Sequence, residues 1–321
     1  MTRSLPFGFL VVIAMLAGCR NDQEAQGADS PVIRADTVAY ALDGSPLTPV
    51  PETAASYHRK DSLLQIAKAN YDADPRNLDH IIWYGRRLAY LTEYPQAMQV
   101  YTRGLHFFPE SPELYRHRGH RYISMRKFDE AISDLHKAAE QAQGRPLEIE
   151  PDGLPNRLNI PLSSLQFNIW YHLGLAYYLQ GSYAQAATAY DSCMVYSVNP
   201  DLLCATTDWF YMTAVRLGDT ARARALLAPI HADMETIEND GYHQRLLMYK
   251  GEILPDSLLD FDHITPENEL QVVTQGYGVG NYLLSRGRVD EARTIFQAIL
   301  KTNYWPAFGY IAAEADLHRG L

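Results

Sequence analysis

The stretch Trp170-Tyr171-His172-Leu173-Gly174-Leu175-Ala176-Tyr177, followed by Gly181, Ala186 and Tyr190, decides the fold of this chain. It reads as a helix, a short turn at Gly181 and a second helix. Each residue type has a packing reason. Gly174 lets the neighbouring helix approach where a side chain would collide, and Ala186 does the same from the second helix. Trp170, Leu173, Tyr177 and Tyr190 then fill the space between the two.

The order W-x2-L-G-x2-Y, then A-x3-F/Y, resembles the tetratricopeptide repeat. Working outward, a first repeat spans 78–111, with Gly85, Leu88, Ala97, Tyr101, Gly104 and Pro109 at the signature positions. A second follows without a gap, since Gly119, Ala131 and Ala138 lie 34 residues beyond Gly85, Ala97 and Gly104. The opening stretch is the third repeat. It is separated from the second by 21 extra residues within 141–165, a segment broken by Pro146, Pro151, Pro155, Pro161 and the turn Asp152-Gly153. A fourth repeat keeps Ala214, Gly218, Ala223 and Leu227 but has Tyr211 where the glycine would stand. The 69 residues from Ala223 to Ala292 predict a degenerate repeat between them, with helices at 242–249 and 255–259. A sixth carries Gly280, Leu283, Gly287, Ala292 and Phe296. A helix ending before Pro75 and another opening at Pro306 read as caps. The resemblance covers roughly 54–321. It implies an all-α fold, a right-handed α–α superhelix of about six repeats, one of them degenerate, between N- and C-terminal capping helices.

The amino end reads differently. Arg3 and the apolar run Leu10–Leu16 form a signal stretch too short to span a bilayer. Leu16-Ala17-Gly18-Cys19 resembles the bacterial lipobox, which implies removal of 1–18 and a diacylglyceryl group on Cys19. An ordinary secretory signal is the alternative. Each buried methylene of such chains contributes about 0.8 kcal/mol, so a multiply acylated Cys19 would hold the protein on a membrane. Arg20 in place of an aspartate further implies the outer membrane, facing the periplasm or the surface. Residues 19–53, polar and interrupted by Pro31, Gly44, Pro46, Pro49 and Pro51, read as a flexible tether, although 38–47 is apolar enough to lie along the first helices. Beyond Cys19 there are two cysteines, Cys193 and Cys204. They read either as a disulfide between facing helix ends or as two small buried thiols.

A net charge of -10 argues against a nucleic-acid partner. No nucleophile, base and orienting group fall together, no metalloprotease or hydrolase motif is present, and no cofactor is expected. His117 and His120 share a helix, but Arg116, Arg118 and Arg121 beside them would repel a metal dication. Gly276, Gly278 and Gly280 follow no strand and read as close helix contacts, not a phosphate loop. What remains is contact. In the tetratricopeptide family the first helix of each repeat lines the concave face, which implies a groove of Arg86, Ala89 and Tyr90, then Arg116, His120 and Ile123, then Asn168, Tyr171, Leu175 and Tyr178. Cations in two repeats followed by aromatic surface suit a peptide carboxylate or acidic segment. Alternatively, acidic neighbours neutralise those arginines inside the solenoid. Glu148, Glu150 and Asp152 of the inserted segment are expected to fold back onto the arginines as a lid. The reading is therefore a non-catalytic, lipid-anchored envelope scaffold for a protein or peptide partner, with dimerisation through terminal repeats a further expectation. The alternative is a glycan-capture lipoprotein using Trp and Tyr platforms.

Overall fold

In the computed structural model, residues 31–321 are described; the signal stretch and Cys19 lie outside the described residues. After a short strand segment come helix α1 (Ala54–Ala73) and then the pairs α2 (Leu78–Tyr90) with α3 (Tyr94–Phe107), α4 (Pro112–Ser124) with α5 (Phe128–Ala142), and α6 (Leu165–Gln180) with α7 (Tyr183–Val195). They continue as α8 (Pro200–Arg216) with α9 (Thr220–Leu227), α10 (Asp240–Lys250), α11 (Glu269–Ser285) with α12 (Val289–Ile299), and a last helix α13 (Phe308–Arg319). First helices are started by side-chain caps: Asn77, Ser111, Ser164 and Asn199 each accept a backbone N–H from the first turn. Consecutive helices pack on one another throughout, the expected α–α superhelix.

The signature residues do the work assigned to them. A Cβ built on Gly174 would stand 2.6 Å from Tyr190 Cε1, and one on Gly119 would stand 2.8 Å from Leu135 Cγ. Ala97, Ala131, Ala186 and Ala292 are fully buried at the facing positions. The turn inside each pair needs a left-handed residue, and Gly181, Gly218 and Gly287 supply it at φ 88°, 71° and 74°. Repeats one and two place Thr92 and Arg126 at the same position with φ 59° and 61°, a conformation that costs a side-chain-bearing residue roughly 1–2 kcal/mol.

Three sequence expectations are corrected. The second helix of the degenerate repeat, expected at 255–259, is one 3-10 turn, Pro255–Leu258. Gly251 ends α10 in the left-handed conformation at φ 84°; Pro255 can open a new turn, but no side chain caps its start and Leu259 is already extended at φ -99° and ψ 122°. The tether reading fails for the described part of 19–53. Residues 31–53 form two antiparallel strand pairs, β1 (Pro31–Val32) with β4 (Glu52–Thr53) and β2 (Ala39–Tyr40) with β3 (Pro46–Leu47). Val38 and Ala39 are buried with Tyr94 and Trp305, and Trp305 Nε1 donates to Thr48 O at 2.8 Å. The apolar content of 38–50 is thus spent on the solenoid.

The third correction concerns the open channel. Helix α13 does more than cover the last repeat: it packs on α11, α12 and α6. Its two buried carboxylates are held from different parts of the chain. Glu314 Oε2 accepts Arg126 Nη2 at 2.6 Å and Nε at 2.9 Å, while its Oε1 accepts the Leu42 N–H at 2.5 Å. Asp316 accepts Arg216 Nη2 at 2.6 Å, Tyr277 OH at 3.0 Å and Arg319 Nη2 at 2.7 Å. The spiral is therefore tied to its own amino-terminal half through its last helix.

Candidate functional site

The folding back of α13 leaves a cavity of about 1050 Å³. Segment 50–60 and the carboxyl ends of α2 and α4 form part of its wall, contributing Tyr90, His120 and Arg121. The starts of α10, α11 and α13 contribute Asp240, Tyr242, Glu267, Glu269 and Phe308. Leu154 reaches it from the inserted loop. The two groups meet where the His120 ring lies 4.2 Å from His172 and 5.4 Å from Phe308 between centroids.

The inserted segment lies back along repeats one and two. Its two ends are zipped together, with a bridge between Ile149 and Ser164 and a hydrogen bond from Leu165 N to Glu148 O at 2.7 Å. This delivers Glu150, whose Oε2 lies 2.8 Å from Arg116 Nη2 and accepts Asn168 Nδ2 at 2.8 Å. Arg87 Nη1 donates to Gly153 O at 2.8 Å, and Gly153 lies against the Tyr90 ring too closely for any Cβ. Asp152 is near enough to feel Arg86, although burial outweighs that attraction and raises its carboxyl pKa. The expected return of the acidic loop to the cationic repeats is what the geometry contains.

Burial together with Arg116, Arg86 and Arg121 holds His117 well below the usual imidazole range. Burial, then Arg121 and Arg116 among its neighbours, does the same to His120. His172 is lowered chiefly by burial, with Arg116 adding to it. Neutral His117 Nδ1 accepts from Arg116 Nη1 at 2.9 Å, so this cluster holds its charge on arginines.

Of the predicted groove residues, Tyr90 and His120 line the cavity, while Arg86 stacks on Trp83 and donates to Tyr90 OH at 3.3 Å. Arg116 is buried beneath Glu150. Tyr171 and Tyr178 are not groove residues: Tyr171 is buried, with its OH 3.3 Å from Tyr242 OH, and Tyr178 is fully enclosed, with its OH 2.8 Å from Tyr277 OH. The later helices cover the face that register alone would leave open. Of the two readings of Cys193 and Cys204, the structure has the buried thiols: both are free, and Cys193 Sγ lies 3.3 Å from Thr206 Oγ1. Sequence reading missed the fully buried pair Asp208 with Arg245 at 2.8 Å. Its trace was Gly278, whose missing side chain makes room for the Arg245 stem.

The comparisons agree with this architecture at its centre. The tetratricopeptide repeat family model matches residues 169–195, the α6–α7 pair. No curated protein sequence matches the chain. Among solved structures, the chain is similar to YrrB, a tetratricopeptide repeat protein with an unusual peptide-binding site, at TM-score 0.42 and 12% identity over 79% of this chain and 97% of that one. It is likewise similar to a tetratricopeptide repeat protein from Parabacteroides merdae, at TM-score 0.48 and 12% identity over 80% and 94%. The matched pair α6–α7 is thus a tetratricopeptide repeat, and it sits within an α–α solenoid of stacked helix pairs.

Proposed function

We propose that the chain is a non-catalytic binding scaffold that takes a protein or peptide partner on its concave side, beside repeats one and two. The observation that carries this reading is the loop segment Glu150–Gly153. It is an acidic peptide segment held by Arg116 and Arg87 through side chain and main chain, and it supports the reading by example. The cavity next to it offers room for a ligand of the same kind. Residues 1–18 would be the signal, and lipid on Cys19 would place the scaffold on the bacterial envelope, in the outer membrane. Radiolabelled palmitate entering the wild-type protein but not Cys19→Ser would support the anchor; equal labelling would refute it. A photo-crosslinking residue in place of Thr274, on the cavity wall, tests the binding site in living cells. A discrete protein or peptide adduct supports the reading, and no adduct at any growth stage refutes it.

A second reading, capture of a glycan, is favoured by Tyr242, Tyr304 and Phe308, which face the cavity and lie outside the repeat's signature positions. Recovery of saccharide in place of peptide would select it.

A further inference from the structure

We propose that the cavity takes a short free peptide as a zwitterion, with its carboxylate on Arg121 and its amino group among Asp240, Glu267 and Glu269. This rests on the reading of the concave side as a peptide surface and names the ligand class. The space, about 1050 Å³, is at the upper end of small-ligand sites, which run to roughly 1,000 Å³. It suits a few residues and not a folded partner.

The two poles come from different halves of the superhelix. Arg121 belongs to α4, and its guanidinium stands 5.2 Å over the Tyr94 ring, which holds it in place and leaves its donors free. Among the described residues it enters no ion pair, and neither does Arg59 at the exposed edge of the same wall, whereas Lys60 is already paired with Glu52 at 2.6 Å. Asp240, Glu267 and Glu269 come from the starts of α10 and α11, and none of them pairs with a cation among the described residues. The positive ends of the helix dipoles make these charges tolerable in the free protein without neutralising them. Glu269 is the most telling. It is 8% exposed, and among the described residues its carboxylate accepts one hydrogen bond, from the Asn303 N–H at 2.6 Å on Oε1. Its Oε2 takes no hydrogen bond among the described residues, which leaves it able to receive a ligand ammonium.

Between the poles the wall offers what a peptide chain needs. Asn239 and Asn303 carry amides that both donate and accept, as peptide groups do. The Tyr242 and Phe308 rings offer apolar faces to its side chains. A ligand touching both poles would join repeats one and two to repeats five and six.

The test is calorimetric titration of the purified protein with a tetrapeptide of three alanines and one central phenylalanine, in free, N-acetylated and C-amidated forms, and with maltotetraose. The free peptide is expected to bind, and blocking either end to weaken it about tenfold or more, the loss of one charge-assisted contact. In Arg121→Gln the amidated and free forms should bind alike; in Asp240→Asn with Glu267→Gln the acetylated and free forms should. Equal binding of free and capped peptides by the wild type overturns the proposal, as does binding of maltotetraose alone or of none of the four. If any of these occurs while the cell crosslink still captures a protein, the ligand class is wrong and the binding surface stands. If the crosslink fails too, both are wrong.

Discussion

Arg116 and Glu150 meet at 2.8 Å with side chains only 10% and 11% exposed, joining the first helix of repeat two to the inserted segment. Glu150→Ala would leave the guanidinium buried without its partner. Loss of one member of such a pair costs about 3–5 kcal/mol. Denaturant unfolding should show a loss in that range, and protease should now cut within 143–164. The double replacement Arg116→Met with Glu150→Leu should recover most of the stability. An unchanged midpoint and uncut loop in Glu150→Ala would deny the contact.

At the centre of the array, Gly174→Ala places a methyl 2.6 Å from the buried Tyr190 ring. Overpacking of this kind costs about 1–3 kcal/mol. The second-site change Tyr190→Leu, which shortens the opposing side chain, should return part of the loss in a urea melt. Failure to suppress would mean that the glycine serves something other than helix approach.

Acid should weaken the fold at pH values where ordinary carboxylates stay ionised. His117, His120 and His172 are held well below 6.5 by burial and neighbouring arginines, so the unfolded chain binds their protons more readily than the folded one. Their stabilising contribution is complete above about 6.5 and falls as pH drops below it, by at most about 1.4 kcal/mol per unit per group. Asp208, whose carboxyl is pushed up to about 7 by burial, runs the other way and offsets one of the three. Stability should therefore decline between pH 6.5 and 5, and less steeply in His172→Gln. A flat profile there would mean that the imidazoles are solvated.

Cys193 and Cys204 are buried thiols, each pushed up to about 12 by burial. Peptide mapping should find neither alkylated by iodoacetamide at pH 8 in the folded protein, and both alkylated after unfolding without reductant. Protection that persists after unfolding would indicate a disulfide.

The repeat register was legible because it is a local, recurring demand. Wherever two helices cross closely, one residue must be small, and Gly85, Gly119, Gly174 and Gly280 mark those crossings at a common phase. The loop's return was legible too, since acidic residues left directly from a cationic pair of repeats. Closure was not. Arg126 and Glu314 are separated by 188 residues, and their meeting depends on the accumulated pitch of every intervening pair. Tyr171 and Tyr178 were therefore assigned to an open face that α13, α10 and α11 cover. Nor does the degenerate repeat keep a signature to read, so Arg245 could not be placed opposite Asp208 of repeat four, and Gly278 alone hinted at the room its stem needs. The amino-terminal strands escaped for a simpler reason: each is two residues long, too short to carry a period.

The last helix is fastened across the concave side by Arg126, a residue kept in a left-handed turn position where three other repeats use glycine. A double-mutant cycle with Arg126→Gln and Glu314→Gln, read by denaturant unfolding, measures that fastening. A coupling of at least about 1 kcal/mol is expected, within the range of residues in one ion-pair network. Strictly additive losses would show that the two side chains do not meet and that the superhelix stands open.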